Sequence, residues 1–306
     1  MIVSGISIPK VTLEQWRAFQ AVVEYGGYAQ ASEKIHKTQS TLSYSVQKLE
    51  QVLGVKVLRV KGRKAYLTKE GEVLLRRSRQ LLDSAISLEK IAENMSQGIE
   101  ARIDVSVDVV FPYNELLCVL AQFSQRYPDT RVELVESVLS GGQDLLLSGQ
   151  LDLLVSASVP QGFAGEPLLR LEFVCVASPE HPLNALDREV TLQDLKQQRQ
   201  LVTRDSGPQR RLSAPWLEAE QRWTVTNLTT SIKALKQGLG FAWVPKLQIE
   251  NDLRRGELQA LDMEEGGSRF GHLYLIYKDK DAAGPATCFL AEQITRVSRD
   301  IAGNAL

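Results

Sequence analysis

Residues 28–53, YAQASEKIHKTQSTLSYSVQKLEQVL, leave few choices of fold, because they set two short amphipathic patterns on either side of a polar turn. Ala29, Ala31 and Ile35 mark the first pattern, and its small alanines let two helices cross steeply at close range. Leu42, Val46, Leu49 and Leu53 form the buried stripe of the second, with Thr38 as its N-terminal cap and Gly54 as its stop. With those positions inward, Gln39, Ser40, Ser43, Tyr44 and Gln47 fall on the opposite face, where they can reach base edges or phosphates. Upstream, Leu13, Trp16, Phe19 and Val23 recur at three- and four-residue steps, the stripe of a preceding helix that stops at Gly26-Gly27.

Charge supports the same reading. Between Lys34 and Arg79 stand 12 Lys and Arg residues against Glu50, Glu70 and Glu72, a local charge of +9 in a chain whose net charge is -1. The first 97 residues carry +6 and the remainder -7, so only the first part should seek phosphate. After Gly54, two β-branched segments, 55–60 and 65–68, flank Lys61-Gly62-Arg63-Lys64, which predicts a β-hairpin wing with a basic tip. The expected DNA contacts are Thr38, Gln39, Ser40, Ser43, Tyr44, Gln47 and Lys48 on the helix, with Lys61, Arg63 and Lys64 on the wing. The plainer alternative is a small helical bundle with solvated lysines.

The order of these residues resembles the LysR-type transcriptional regulators. The matching elements are Ala31-Ser32, Gln39-Ser40, Leu42-Ser43, Leu49-Glu50, Leu53-Gly54, Gly62-Arg63, Leu67-Thr68 and Glu70-Gly71, in register over the first 75 residues, with weaker similarity to the C-terminus. The resemblance implies an α/β protein overall: a mainly α winged helix-turn-helix, a long linker helix, and a two-lobed α/β effector domain resembling type 2 periplasmic binding proteins. It puts Gln39, Ser40, Ser43, Tyr44 and Gln47 at recognition-helix positions and Arg63 and Lys64 in the wing. Two residues depart from the family pattern, which usually has Arg where Tyr44 stands and tends to have Arg where Val60 stands. Operator preference should differ accordingly, since arginine grips guanine or phosphate and tyrosine offers one hydroxyl and a flat ring.

From Lys69 to Gln97 the only glycine is Gly71 and there is no proline, so about 29 residues at 1.5 Å each make a rod of roughly 43 Å. Leu74, Leu81, Leu88 and Met95 repeat every seven positions, with Ser78, Ala85 and Ala92 between them, a narrow seam suited to pairing with a second helix. Its alternative use is packing on its own domain. The boundaries expected are 10–68 for the DNA-binding domain, 69–97 for the linker and 101–306 for the effector domain.

Beyond Gly98, strands near 102–107, 131–135 and 151–155 alternate with helices after Pro112 and at 143–147, which argues for parallel βαβ units. Further strands are expected at 173–177, 200–203, 223–226, 240–244 and 269–277, and a terminal helix at 285–301. The resemblance divides this half into lobe I, 101–163 and 270–306, and lobe II, 164–269, with crossovers at 161–167 and 264–270. Strand ends and helix starts then nominate Asp108, Val109, Ser137, Ser140, Ser156, Thr203, Arg204, Asn227 and Thr229 as effector-binding. Arg204 could pair with an anionic effector or equally with Asp205 and Asp108; ordinary capping alone would explain Asn227 and Thr229; Phe111, Tyr113 and Trp243 line the pocket or fill the core.

Catalytic readings find little support. His36, His181 and His272 are the only histidines and none stands at metal-ligand spacing, so neither a metal nor a cofactor is expected. No nucleophile elbow or phosphate-loop lysine motif occurs, Gly238-Leu239-Gly240 follows a helix instead of opening one, and Glu264-Glu265 and Asp279 with Asp281 read as solvated surface. Cys118, Cys175 and Cys288 read as buried reduced thiols. No apolar run approaches a membrane span and the start lacks an export signal, which suggests a cytoplasmic protein. The sequence therefore points to a DNA-binding regulator, without enzymatic activity, whose partners are duplex DNA, a small-molecule effector, a second copy of itself as dimer or dimer of dimers, and, through the resemblance, RNA polymerase. Two other readings stay open: a vestigial cleft packed by Phe111 and Trp243, and a solute-binding or catalytic α/β protein with a helical accessory domain.

Overall fold

The computed structural model describes residues 8–61, 64–208 and 219–304 and divides them into two compact units, the first ending at Glu93 and the second beginning at Asn94. In the first unit, α1 (Leu13–Glu24), α2 (Tyr28–Lys34) and α3 (Gln39–Leu53) precede a hairpin of β1 (Leu58–Lys61) and β2 (Lys64–Leu67), and α4 (Lys69–Ser96) follows. Thr12 and Gln15 make a reciprocal capping box on α1, with the Gln15 N–H donating to Thr12 Oγ1 at 3.2 Å and the Thr12 N–H to Gln15 Oε1 at 2.9 Å. On α3, Thr38 is the cap and Gly54, at φ +71°, takes the left-handed stop.

The core of this unit joins Phe19, Val22, Ala31, Leu42, Val46 and Leu49 to Val57 and Leu58. Three expected core positions move. Leu13 is exposed, because the inward face of α1 is Ala18, Phe19, Ala21 and Val22 and leaves Trp16 and Val23 half-buried. Ala29 is exposed, so only Ala31 makes the close approach of α2. Leu53 is 36% exposed, while the charged Glu50 is buried in the same turn. Glu50 earns that position through hydrogen bonds: it accepts the N–H groups of Val57 (2.9 Å) and Leu58 (3.3 Å), and Lys56 Nζ lies 2.6 Å from its other oxygen. Those bonds hold residues 55–57 out of the hairpin, which starts at Leu58 instead of Val55.

Helix α4 begins against this junction. Thr68 Oγ1 donates to Lys56 O at 2.7 Å and accepts the Gly71 N–H at 2.9 Å; a Cβ on Gly71 would stand 2.1 Å from Val57 O, so the side-chain-free residue is required there. Leu75 and Leu74 pack into the core of the unit, so the first leucine of the heptad seam serves its own domain. Leu81, Leu88 and Met95 are exposed.

In the second unit β3 (Arg102–Asp108), α5 (Tyr113–Arg126), β4 (Arg131–Ser137), α6 (Ser140–Leu147) and β5 (Leu153–Ser156) come first. Then follow β6 (Gly165–Ala177), α7 (Leu192–Lys196), β7 (Gln200–Thr203), β8 (Arg222–Val225), α8 (Leu228–Lys236), β9 (Ala242–Pro245), α9 (Lys246–Arg254), β10 (Gln259–Ala260), β11 (Ser268–Tyr277) and α10 (Pro285–Asn304). As alternation implied, β3 is parallel to β4 and β5, and β7 to β8. The segments expected as crossovers, 161–167 and 264–270, lead into β6 and β11, which start at Gly165 and Ser268, run antiparallel to each other over most of their lengths and tie β5 on one side to β9 and β10 on the other. Ile103, Val105, Phe123, Leu153, Leu171, Phe241, Leu275 and Leu290 belong to one continuous core. Cys175 is buried there, but Cys118 and Cys288 are exposed, because the inward stripes of α5 (Leu116, Val119, Phe123) and α10 (Leu290, Ile294) pass beside them.

Candidate nucleic-acid interface and effector cleft

The stripe of Leu42, Val46 and Leu49 seats α3 on the core and so turns Gln39, Ser40, Tyr44, Gln47 and Lys48 to solvent. Tyr44 is 67% exposed, and Ser43 sits half-buried at the margin of the face, where Gln47 Nε2 reaches its hydroxyl at 3.5 Å. Thr38 is committed to the cap: its Oγ1 accepts the Thr41 N–H at 3.2 Å and lies 2.9 Å from the Ser40 hydroxyl. The sharp entry to α3 uses His36 at φ +55°, and Lys37 leaves the exposed face to pair with Glu14 of α1. Lys61 and Lys64, paired at the turn end of the hairpin, are exposed, and so is Val60; Arg63 lies outside the described residues. Glu50 was legible only as an acid against the charge trend. Its hydrogen bonds link α3 to the hairpin; burial pushes the Tyr28 hydroxyl up to about 12, and the negative charge of Glu50 adds to the rise.

At the carboxyl ends of β3, β5 and β7 lie two adjoining cavities of about 300 and 290 Å³ that share Asp108, Val109 and Leu228. Of the nine residues nominated by sequence, Asp108, Val109, Thr203, Asn227 and Thr229 line one or both. The other four do not, each for a visible reason. Ser137 is buried against the Ser106 hydroxyl at 2.9 Å, Ser156 is buried beneath the loop whose Ser158 N–H reaches it at 3.5 Å, and Ser140 is turned to Asp205. Arg204 is exposed and lines neither cavity. Trp243 and Phe111 do line them, together with residues that strand-end reasoning passed over: Phe173, Gln200, Ser231, Gln248, Phe270 and His272. Several of these lie inside strands β6, β9 and β11, where a rule about strand ends has no purchase.

Asp108 is the group with the most unusual setting. It is 4% exposed, its Oδ1 accepts the Val110 N–H at 3.1 Å, and the Leu139 N–H also bonds its carboxylate. Leu139 supplies that N–H from a left-handed φ of +53°, a strained conformation for a branched side chain. Burial pushes the Asp108 carboxyl up to about 6, and the negative charge of Asp205 adds to the rise. Around it, Gln248 Nε2 donates to Val109 O at 2.7 Å and Phe111 O at 3.2 Å, fixing the loop after β3 to α9. Trp243 is held by its Nε1 on Gly266 O at 3.1 Å and by the Arg269 guanidinium stacked 4.1 Å over its ring.

Two of the helix starts near the cavities are already occupied, while α5 and α9 begin after Pro112 and Pro245 without a side-chain cap. Asp205 accepts the N–H and hydroxyl of Ser140 at the start of α6, and Asn227 Oδ1 accepts the N–H groups of Thr229 (2.7 Å) and Thr230 (3.3 Å) at the start of α8. Among the described residues, no helix is long and apolar enough to cross a membrane, and no three His, Cys, Asp or Glu groups are gathered to hold a metal.

Comparison with known proteins gives two family matches: residues 13–72 to the bacterial regulatory helix-turn-helix protein, lysR family, and residues 96–299 to the LysR substrate binding domain. The chain is 32% identical over 254 residues to the uncharacterized HTH-type transcriptional regulator YeeY of Escherichia coli (strain K12), covering 81% of this chain and 82% of that one. Solved structures share the fold: an OxyR mutant from Corynebacterium glutamicum, with a TM-score of 0.57 at 22% identity over 97% of this chain and 96% of that one. Another is full-length LysG from the same organism with bound effector Arg, with a TM-score of 0.53 at 17% identity over 94% of this chain and 98% of that one.

Proposed function

This chain belongs to the LysR family of transcriptional regulators, a DNA-binding head followed by an effector-binding domain, and on that premise we propose which of its residues do the work. Helix α3 enters the major groove and reads base edges with Gln39, Ser40, Ser43, Tyr44 and Gln47, while Lys48 and the wing residues Lys61, Arg63 and Lys64 grip phosphate. Thr38 shapes the helix start. The observation that carries this reading is the exposure of Gln39, Ser40, Tyr44 and Gln47 on a helix whose opposite side is sealed by Leu42, Val46 and Leu49.

The effector sits in the paired cavities around Asp108 and Val109, between a lobe of 101–163 with 270–306 and a lobe of 164–269, touching Thr203, Asn227 and Thr229. Ser137, Ser140 and Ser156 shape the walls from behind. The exposed leucines of α4 support assembly as a dimer or dimer of dimers, which lets two heads engage two half-sites so that the second contact becomes nearly intramolecular. Such a regulator works in the cytoplasm beside RNA polymerase. An effector changes DNA binding only by its different affinity for two arrangements of the assembly.

The test is binding to the DNA upstream of the protein's own gene against random duplex of equal length. Specific binding that falls steeply with salt supports the reading, and Gln39→Ala or Gln47→Ala should narrow the gap between the two DNAs without changing the salt slope. Equal affinity for both DNAs in the parent protein would sink it.

A further inference from the structure

We propose that the cleft is built for a cationic, ring-bearing effector, an arylalkylammonium or a similar flat molecule with a protonated nitrogen, anchored by Asp108. The inference rests on the assignment of this cleft as the effector site and adds the sign of the ligand's charge.

Three observations converge on it. Asp108 is buried, lines both cavities and fills only part of its accepting capacity with the N–H groups of Val110 and Leu139. Lys and Arg are absent from the walls among the described residues; Glu136 is the other acid, and His272 the only titratable base. The starts of α6 and α8 are already filled, α6 by the Asp205 carboxylate and α8 by the Asn227 amide. A bound anion would meet two acids and, among the described residues, no Lys or Arg in the walls. A bound ammonium would instead find a buried carboxylate whose charge is raised in energy by burial and by Asp205, and would relieve both effects.

Shape sets the remainder of the ligand. Phe173, Trp243 and Phe270 line the cavity of about 290 Å³ with Val138, Leu139 and Leu201, surfaces that favour a planar apolar body. A volume of about 290 Å³ corresponds to on the order of ten water-sized units, a single ring with a short amine arm.

Matched pairs of opposite charge test this in the full-length protein: phenethylamine against phenylacetate, and tryptamine against indole-3-acetate, titrated calorimetrically. Ligands of this size bind in roughly the millimolar range, so each titration runs through it. The amines should bind on the order of tenfold or more tightly than their carboxylate partners. Asp108→Asn, which keeps an acceptor for Val110 and Leu139, should erase that preference. Thr203→Trp, which fills the cavity from the end of β7, should abolish binding of either series.

Carboxylates that outbind the amines in the parent protein and are lost in Thr203→Trp would overturn the charge assignment and leave the cleft standing. Binding of either series that ignores Thr203→Trp would overturn the cleft itself. An absence of amine binding throughout that range, or an amine preference that survives Asp108→Asn, would overturn the proposal as well.

Discussion

The carboxylate of Asp205 receives Ser140 twice, its N–H on Oδ1 at 3.0 Å and its hydroxyl on Oδ2 at 2.7 Å, so a residue beyond β7 caps a helix that starts 65 positions earlier. Oδ1 also accepts the Gly207 N–H at 2.9 Å, and the neighbouring Ser206 exchanges backbone and hydroxyl bonds with Val138. Asp205→Ala leaves buried donors without an acceptor and should destabilise the C-terminal unit by roughly 2–4 kcal/mol, while Asp205→Asn should recover part of the loss. Urea denaturation of the three proteins measures this. A loss below about 0.5 kcal/mol in the alanine variant would mean the bonds carry little net energy.

Glu50 plays a comparable part in the head. With Glu50→Ala, the buried N–H of Val57 and of Leu58 lose their acceptor, and the hairpin loses its tie to α3. We expect a loss of about 2–3 kcal/mol in the stability of the N-terminal unit, with Glu50→Gln intermediate. Affinity for DNA should fall for random and specific duplex alike, because the wing is proposed to contribute backbone contacts and no base readout. Unchanged stability in Glu50→Ala would remove this account of how the wing is held.

Much of this architecture was legible from α3 outward. The cap at Thr38, the Leu42, Val46 and Leu49 stripe and the Gly54 stop are local signals, and a helix carries them at fixed spacing. Glu50 escaped because burial of a charge depends on partners, Val57 and Leu58, that a periodicity cannot see. The cleft was legible only where it is built from strand ends, as at Asp108 and Thr203. Phe173, Trp243, Phe270 and His272 reach it from within β6, β9 and β11, and their direction depends on strand register between residues far apart in the chain, as in the pairs of Cys175 with Trp243 and Glu172 with Phe270. Ser140 illustrates the converse: the sequence places it beyond the end of β4 and ahead of a helix at 143–147, whereas the helix starts at Ser140 itself and Asp205, from a distant segment, takes its N–H and hydroxyl.

Val60 stands 58% exposed on β1, one residue from Lys61 at the hairpin tip. Replacing it with arginine adds a cation to the surface proposed to face phosphate. Val60→Arg should tighten binding to specific and random duplex by a similar factor, and steepen the slope of log affinity against log salt by about 0.9 if one phosphate is engaged. A salt titration that superimposes on the parent protein would place β1 away from the DNA backbone.

Leu81 and Leu88 are 46% and 68% exposed on α4 and share one side at a spacing of seven. In the proposed dimer these side chains are covered by the partner helix. The double substitution Leu81→Asp, Leu88→Asp should yield monomers by sedimentation equilibrium and weaken binding to a two-half-site operator by roughly 10²-fold or more, while affinity for a single half-site changes little. A double variant that sediments like the parent would move the dimer contact elsewhere.

Asp108 makes the stability of the C-terminal unit depend on pH in a direction opposite to most carboxylates. Its folded-state pKa, pushed up to about 6 by burial with Asp205 adding to it, lies above the value of 3.8 for the free side chain. The folded protein therefore holds this proton more tightly than the unfolded chain does, and the stabilisation is complete below about pH 4 and lost as pH rises through 6. Asp108→Asn cannot titrate and still offers an oxygen to Val110 and Leu139. The stability of the variant relative to the parent should accordingly rise by about 2 kcal/mol between pH 4 and pH 7 and stay level above it. Denaturant midpoints of both proteins across that range decide the matter, and a difference that is flat, or that falls with pH, would show that Asp108 is solvated as an ordinary surface acid despite its buried position.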